Sequence, residues 1–310
     1  MSELRAPVRP ILKWAGGKRQ LLPELRPFYP RRFARYLEPF LGSGAVFLDL
    51  YNSGRLEGRT VALSDINTDI IGCYTAVRDD PQAVVSALHG LEAGYRKAGA
   101  AHYYRVRDGK FNPLRRAVLA SEDPVCAYTP ALAAMLIYLN RTGFNGLFRV
   151  NSRSEFNVPA GRYSNPLICD ELNLHAWSVA LRSRGVTLRA AAFDAALANA
   201  GQDDFVYLDP PYAPLSGTAR FTSYTAHGFG DFEQEVLQRT VIAIASRGAS
   251  VLLSNSAAPQ IRALYARHRG ARSAGLRATT VAARRAINSS AAGRGSIHEY
   301  LITNVARRSL

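Results

Sequence analysis

Three cysteines in 310 residues, Cys73, Cys126 and Cys169, stand far apart and form no Cys-x-x-Cys pair. They supply neither a disulfide framework nor a zinc site, and they suit a reducing compartment. Long apolar runs are missing as well. The longest, 131–139, falls far short of the roughly 18–20 residues that span a bilayer, so no membrane span is expected. The first residues carry Arg5 and Arg9 without the apolar stretch of a secretory signal. There is no internal repeat, and no low-complexity tract beyond a mild excess of alanine. Acidic residues are scarce: 24 Asp and Glu against 39 Lys and Arg leave a net charge of +15. Such an excess favours a polyanionic partner, because neutralised phosphates release counterions and a basic surface steers encounter. Nucleic acid leads on this count, with a membrane surface the lesser alternative.

The length allows one large domain, or one domain carrying a sizeable insertion. The apolar run Phe205-Val206-Tyr207-Leu208 has strand character and stops at Asp209-Pro210-Pro211-Tyr212. Prolines cannot continue a sheet interior, so the chain leaves the sheet there. In an open α/β sheet that exit faces the ligand crevice, although Pro-Pro by itself is also an ordinary turn signal.

Upstream, 35–48 reads as a short strand, a turn through Gly42 and Gly44, and an apolar helix. A second strand, 60–65, ends in Asp65, 21 residues beyond Gly44. An acid at that distance meets the ribose hydroxyls of a bound nucleoside. The dinucleotide fingerprint would need glycine at position 47, which is Phe47, so a cofactor with adenosine but no pyrophosphate fits better than NAD. In Lys13-Trp14-Ala15-Gly16-Gly17-Lys18 the glycine pair permits close backbone approach to a ligand, and the indole can cover it. Arg19 follows where a phosphate-binding loop needs Ser or Thr, which argues against a nucleotide triphosphatase.

From about residue 70 the βα rhythm stops. Positions 69–95 have helical spacing, 101–113 are basic and aromatic, and Thr129-Pro130 opens a buried helix. That helix delivers 140–151, a hairpin or loop tip in which glycines alternate with polar, aromatic and cationic residues. Arg149 there can take a guanine edge, Leu147 can meet a thymine methyl, and Phe144 or Asn145 can fill a gap in a base stack. An exposed loop with a stray arginine is the plain alternative. Strand patterning resumes at 186–188 with Phe193-Asp194 at its end. It returns in the buried-looking strand 250–255, which follows a helix from about Asp231, and in a pair at 280–288 and 298–304. The polar loop 213–224 could close over a substrate, and the glycine-containing loop 289–296 offers Arg294 as a phosphate contact or as a mere turn.

An exocyclic amino group on a base is a poor nucleophile, its lone pair being drawn into the ring. The Asp209 carboxylate and the Pro210 carbonyl could accept its two hydrogens, favouring a tetrahedral nitrogen ready to attack a methyl group. Tyr212 would stack on a base taken out of the duplex. Methylation of a ring carbon needs a cysteine nucleophile, and no cysteine here follows a proline. Zinc-dependent deamination lacks its His-x-Glu and Cys-x-x-Cys ligands.

With Lys13-Trp14-Ala15-Gly16-Gly17-Lys18, Glu38-Pro39-Phe40-Leu41-Gly42-Ser43-Gly44, Ser64-Asp65-Ile66-Asn67, Asn140-Arg141, Asn145-Gly146-Leu147, 155–163 and Asp209-Pro210-Pro211-Tyr212 in this order, the sequence resembles the Dam-type DNA adenine-N6 methyltransferases of the D12 class, over most of its length. The resemblance implies a seven-stranded Rossmann-like sheet that takes S-adenosylmethionine, formed by 1–69 and 169–310. A mostly helical target-recognition domain, 70–168, would be inserted in it. Cofactor contacts implied are Trp14, Ala15, Gly16, Gly17, Lys18, Pro39, Phe40, Gly42, Gly44, Asp65, Ile66 and Asp209, with Asp209, Pro210, Pro211 and Tyr212 as the catalytic tip. Lys13, Phe144, Asn145, Leu147, Arg149, Pro159 and Tyr163 would read or fill double-stranded DNA, and no residue is assigned to a metal. Implied too are GATC as target, base flipping, a monomer in solution and a cytoplasmic, nucleoid-associated place of work. A cognate restriction enzyme is left undetermined. Phe144 departs from the frequent tyrosine, which a flat ring tolerates, and 289–296 is less basic than in several relatives.

Overall fold

The computed structural model describes residues 6–14, 18–213, 229–284 and 296–308. Helix α1 (Leu22–Leu25) is a single turn, and strand β1 (Arg35–Glu38) follows. Helix α2 (Ala45–Asn52) opens at Gly44, whose φ of 65° only glycine adopts without strain. Strand β2 (Thr60–Asp65) precedes α3 (Thr68–Asp79), capped by Asn67, which accepts the Asp69 N–H. The stretch 69–95 is helical, as its spacing predicts, in two pieces that part at Asp80-Pro81. Asp80 accepts the Ala83 N–H and starts a new helix, α4 (Pro81–Val106), that bends at Gly99. The basic, aromatic stretch after residue 100 is helical too, passing through a π turn (Arg107–Phe111) into α5 (Asn112–Leu119).

Helix α6 (Pro130–Thr142) begins as the sequence predicts, Thr129 Oγ1 accepting the Leu132 N–H at 3.2 Å. Then come α7 (Glu171–Leu181), β3 (Val186–Ala190), α8 (Phe193–Leu197), β4 (Asp204–Leu208), α9 (Asp231–Ser246), β5 (Ser250–Ser256), β6 (Arg277–Arg284) and β7 (Ser296–Thr303). Phe193 therefore starts a short helix and does not close a strand. Among the described residues no helix is long and apolar enough to cross a membrane.

The seven strands form a sheet of order β3-β2-β1-β4-β5-β7-β6. Neighbours β2, β1, β4 and β5 run parallel, and β7 enters antiparallel between β5 and β6. Between β1 and β4 the strand order reverses, the place where open α/β sheets bind ligands beyond their carboxyl ends.

The chain divides into two compact units. Met1–Gly17, Gly42–Glu57 and Asn67–Ala190 form one; Lys18–Leu41, Gly58–Ile66 and Ala191–Leu310 form the other. In the second, all five residues of β4 are buried, as a central parallel strand requires. Val206 and Leu208 pack in a core with Leu237, Val241 and Ile244 of α9, while the ring of Phe205 lies against Tyr29, Phe33 and Tyr36. Arg35 and Asp204, paired at the strand starts, form a bidentate ion pair at 2.6 and 2.9 Å.

In the first unit α6 is buried along most of its length and packs against α3 and α4. Three asparagines fasten the N-terminal segment to that unit. Asn52, Asn173 and Asn140 each bond both the N–H and the C=O of one residue: Val8, Arg9 and Lys13 respectively. An asparagine amide offers a donor and an acceptor side by side and so acts as a neighbouring strand would.

Candidate functional site

In the second unit β4 delivers Asp209 past its last residue, and the register Leu208↔Leu253 sets it beside Ser254 of β5. Lys18 Nζ lies 2.7 Å from Asp209 Oδ1, and Ser254 Oγ donates to the same oxygen at 3.0 Å. Both contacts fall on Oδ1. The Lys18 side chain is 6% exposed and that of Asp209 21%, so the pair is sheltered while the carboxylate still meets solvent. Burial raises the Asp209 pKa above the usual carboxylate range, and the Lys18 charge and the Ser254 hydroxyl work against it.

Tyr212 is held at both ends. Its hydroxyl donates to Glu299 Oε2 at 2.7 Å, and Lys18 Nζ sits 4.5 Å from its ring centre. Burial and the two carboxylates Asp209 and Glu299 push the phenol pKa well above its usual value, so the ring stays neutral. Backbone contacts stiffen the tip. Gln234 Nε2 donates to the Pro211 carbonyl at 2.9 Å, and Asn255 Oδ1 accepts the Ala213 N–H at 3.3 Å. Among the described residues nothing hydrogen-bonds the Pro210 carbonyl.

Asp65 ends β2 and is half-buried, with Ile66 exposed beside it. The turn after β1 is tied to the end of β2 by the Leu41 N–H donating to the Ser64 carbonyl. Phe40 stacks on Phe193 at 5.4 Å and meets Phe229 edge-on at 5.9 Å. The last two rings had no place in the expected site.

In the first unit Gly42 has φ 46° and faces the Trp14 ring; a Cβ there would come 2.9 Å from Trp14 Cδ1. Its carbonyl accepts the Tyr74 hydroxyl at 2.8 Å. Trp14 also lies against Phe148 at 5.6 Å. Ala15, Gly16 and Gly17 lie outside the described residues, as do 214–224 of the expected lid and 289–295 of the expected phosphate loop.

Of the expected DNA-facing residues, Phe144, Asn145, Leu147, Arg149 and Pro159 lie in the same unit on an irregular hairpin, and Lys13 packs against its Gly146. Antiparallel bridges Gly143↔Ala160 and Val150↔Phe156 close it, and the Phe144 N–H donates to the Pro159 carbonyl. Its tip lacks regular strands because Asn145 (φ 53°), Gly146 (φ 63°) and Ser154 (φ 59°) turn the backbone left-handed. Buried Phe148 and Phe156 anchor it, leaving Phe144, Asn145, Arg149 and Pro159 exposed and Leu147 half-buried. Lys13 Nζ lies 4.5 Å over the Tyr163 ring, with its pKa lowered by burial and by Arg141. Asn140 Nδ2 reaches both Lys13 O and Gly146 O, so one amide sets the Lys13 backbone against the loop.

Sequence reasoning missed Ser254, Glu299 and Gln234 around the tip, and Asn140 as a clamp. Their signals lie in strand register and in pairings distant along the chain, which local patterns do not carry. Asn140 alone had stood within a recognisable motif.

Residues 14–282 match the model of the D12 class N6 adenine-specific DNA methyltransferases. The chain is 36% identical over 296 residues to the DNA adenine methylase of Vibrio cholerae, covering 94% of this chain and 95% of that protein. It is 33% identical over 302 residues to the type II methyltransferase M1.LlaDCHI of Lactococcus lactis subsp. cremoris, covering 96% and 95%. With M.MjaIII, a type II methyltransferase of Methanocaldococcus jannaschii, it shares 38% over 258 residues, 80% and 84% of the two chains. The chain belongs to the D12 class and is an adenine-specific DNA methyltransferase, with DNA as its substrate.

Proposed function

We propose that this chain transfers the methyl group of S-adenosylmethionine to N6 of adenine in GATC, on a base turned out of the duplex. The residues fit that cofactor: glycine backbone at 42 and 44, an indole against Gly42, an acid ending β2 and a second acid paired with a lysine suit a nucleoside that carries an amino acid. Trp14, Lys18, Pro39, Phe40, Gly42, Gly44, Asp65, Ile66 and Asp209 would hold it, together with the glycine segment 15–17. When bound, it supplies an electrophilic methyl on a sulfonium.

The observation that carries the reading is the division of labour at Asp209. Oδ1 is fixed by Lys18 and Ser254, so that Oδ2 and the Pro210 carbonyl are the acceptors assigned to the substrate. Those two acceptors take the hydrogens of the adenine amino group and leave its lone pair pointing at the methyl carbon. A carboxylate fixed through one oxygen needs little reorganisation as charge develops on nitrogen. The Tyr212 ring, neutral and fixed by Glu299, stacks on the extruded base.

Residues 70–168 carry target recognition, with Lys13, Phe144, Asn145, Leu147, Arg149, Pro159 and Tyr163 facing the DNA. The protein acts as a monomer in the compartment that holds the chromosome. The names of two relatives are those of type II methyltransferases, and a restriction partner fits the same activity.

Two experiments test this. Plasmid DNA methylated by the purified protein is mapped for the modified base and its flanks; modification outside GATC overturns the target assignment. Asp209→Ala abolishes transfer of tritiated methyl while duplex binding persists, and an undiminished turnover removes Asp209 from the catalytic role.

A further inference from the structure

Three side chains on one face of α5, Asn112, Arg115 and Arg116, converge on the far end of the hairpin. Asn112 Oδ1 accepts the Phe156 N–H at 2.9 Å, and its Nδ2 donates to the Phe156 carbonyl at 3.1 Å. Arg115 Nε donates to both oxygens of Asp69 at 2.9 and 2.8 Å, and its Nη1 donates to the Ser154 carbonyl. Arg116 Nη2 reaches Glu155 Oε1 at 2.6 Å. Residues 154, 155 and 156 are thus each held by α5.

Next along the hairpin, the Asn157 N–H donates to the Arg149 carbonyl at 3.1 Å, and Asn157 Oδ1 accepts Arg149 Nε at 2.8 Å. Arg149 is exposed, so with Nε engaged its two terminal nitrogens are the ones presented outward. The Asp69–Arg115 pair is buried, and Tyr128 also donates to Asp69 at 3.3 Å. A buried pair of this kind contributes little net stability, yet it fixes geometry firmly because a misaligned arrangement leaves charge unsatisfied.

We propose that Asn112, Arg115 and Arg116 are positioning residues for target recognition: α5 sets where Arg149 meets a base edge, though none of the three belongs to the reading loop. The proposal rests on Arg149 as a base reader. A two-pronged contact to a base edge requires both nitrogens in place, so a small displacement of the hairpin weakens discrimination before it affects the chemistry.

The test compares the parent with Arg115→Lys, Arg116→Gln and Arg149→Ala. Methyl-transfer kcat and KM are measured on a duplex with the mapped target and on duplexes altered at one base pair, alongside melting temperature and calorimetric binding of S-adenosylmethionine. A lysine keeps the charge opposite Asp69 but cannot also reach Ser154. Arg115→Lys is expected to bind the cofactor as the parent does and to lose about tenfold in its preference for the target. That loss should fall at the base pair where Arg149→Ala loses preference, and in KM more than in kcat. Arg116→Gln, at an exposed pair, moves the same ratio a few-fold.

A merely structural role lowers the melting temperature and all rates in proportion, and an unchanged preference ratio overturns the proposal. If Arg149→Ala itself discriminates as the parent does, the base-reader assignment fails and the proposal fails with it. Should Arg115→Lys not fold, Arg116→Gln decides by the same ratio.

Discussion

In the proposed reaction Asp209 must meet two demands at once: enough burial to hold an amine in place, and enough positive charge nearby to stay ionised. Burial raises its pKa and Lys18 opposes the rise. An acceptor must be unprotonated, so single-turnover methyl transfer is expected to fall on the acid side at a pH above the free-carboxylate value of about 3.9. Lys18→Met removes the main opposing charge. The acid limb should then move to higher pH at saturating cofactor, and an unmoved limb would show that Lys18 does not tune Asp209. Gly42 gives a second prediction. Gly42→Ala must adopt φ 46° and push against Trp14, so urea unfolding should record a loss of about 1–3 kcal/mol. At this scale the strand exit at Asp209-Pro210-Pro211-Tyr212 could be read from the sequence, because its signals are local. Ser254 and Glu299 could not, because β5 and β7 meet the tip only through sheet register, and an isolated serine in an apolar strand looks like any other buried polar residue.

Secondary structure was most legible where sequence chemistry is unambiguous. Thr129-Pro130 is such a case, and Thr129→Ala should destabilise by about 1 kcal/mol in urea unfolding through loss of the cap on Leu132. Melting unaffected by the change would mean that burial of α6 alone fixes its start. The break at Asp80-Pro81 carried the same signals, but helical periodicity continues on both sides and hides the boundary between α3 and α4. The hairpin 143–161 was readable as a loop and not as a braced object. Its bracing comes from α5, at residues 112–116, and from an aspartate at the start of α3. Asparagine recurs in this role. Asn52, Asn140, Asn173 and Asn112 each complete both backbone groups of a distant residue, a pairing no periodicity reveals.

For the whole molecule the net charge of +15 makes a plain prediction. Duplex affinity should weaken at least about tenfold between about 50 and 200 mM salt, and a flat titration would contradict binding through phosphates. The division of the chain has a different consequence, one for synthesis on the ribosome. The first compact unit has its last residue at Ala190, whereas the second begins at Lys18 and draws most of its length from Ala191–Leu310. As the chain emerges, β1 can pair with β2 at once, but its other edge waits for Asp204 to be made. A strand edge left open for so long is an invitation to pair with a neighbouring nascent chain. Chains stalled just short of residue 204 should therefore aggregate more readily than chains released complete, and equal sedimentation of the two would contradict this.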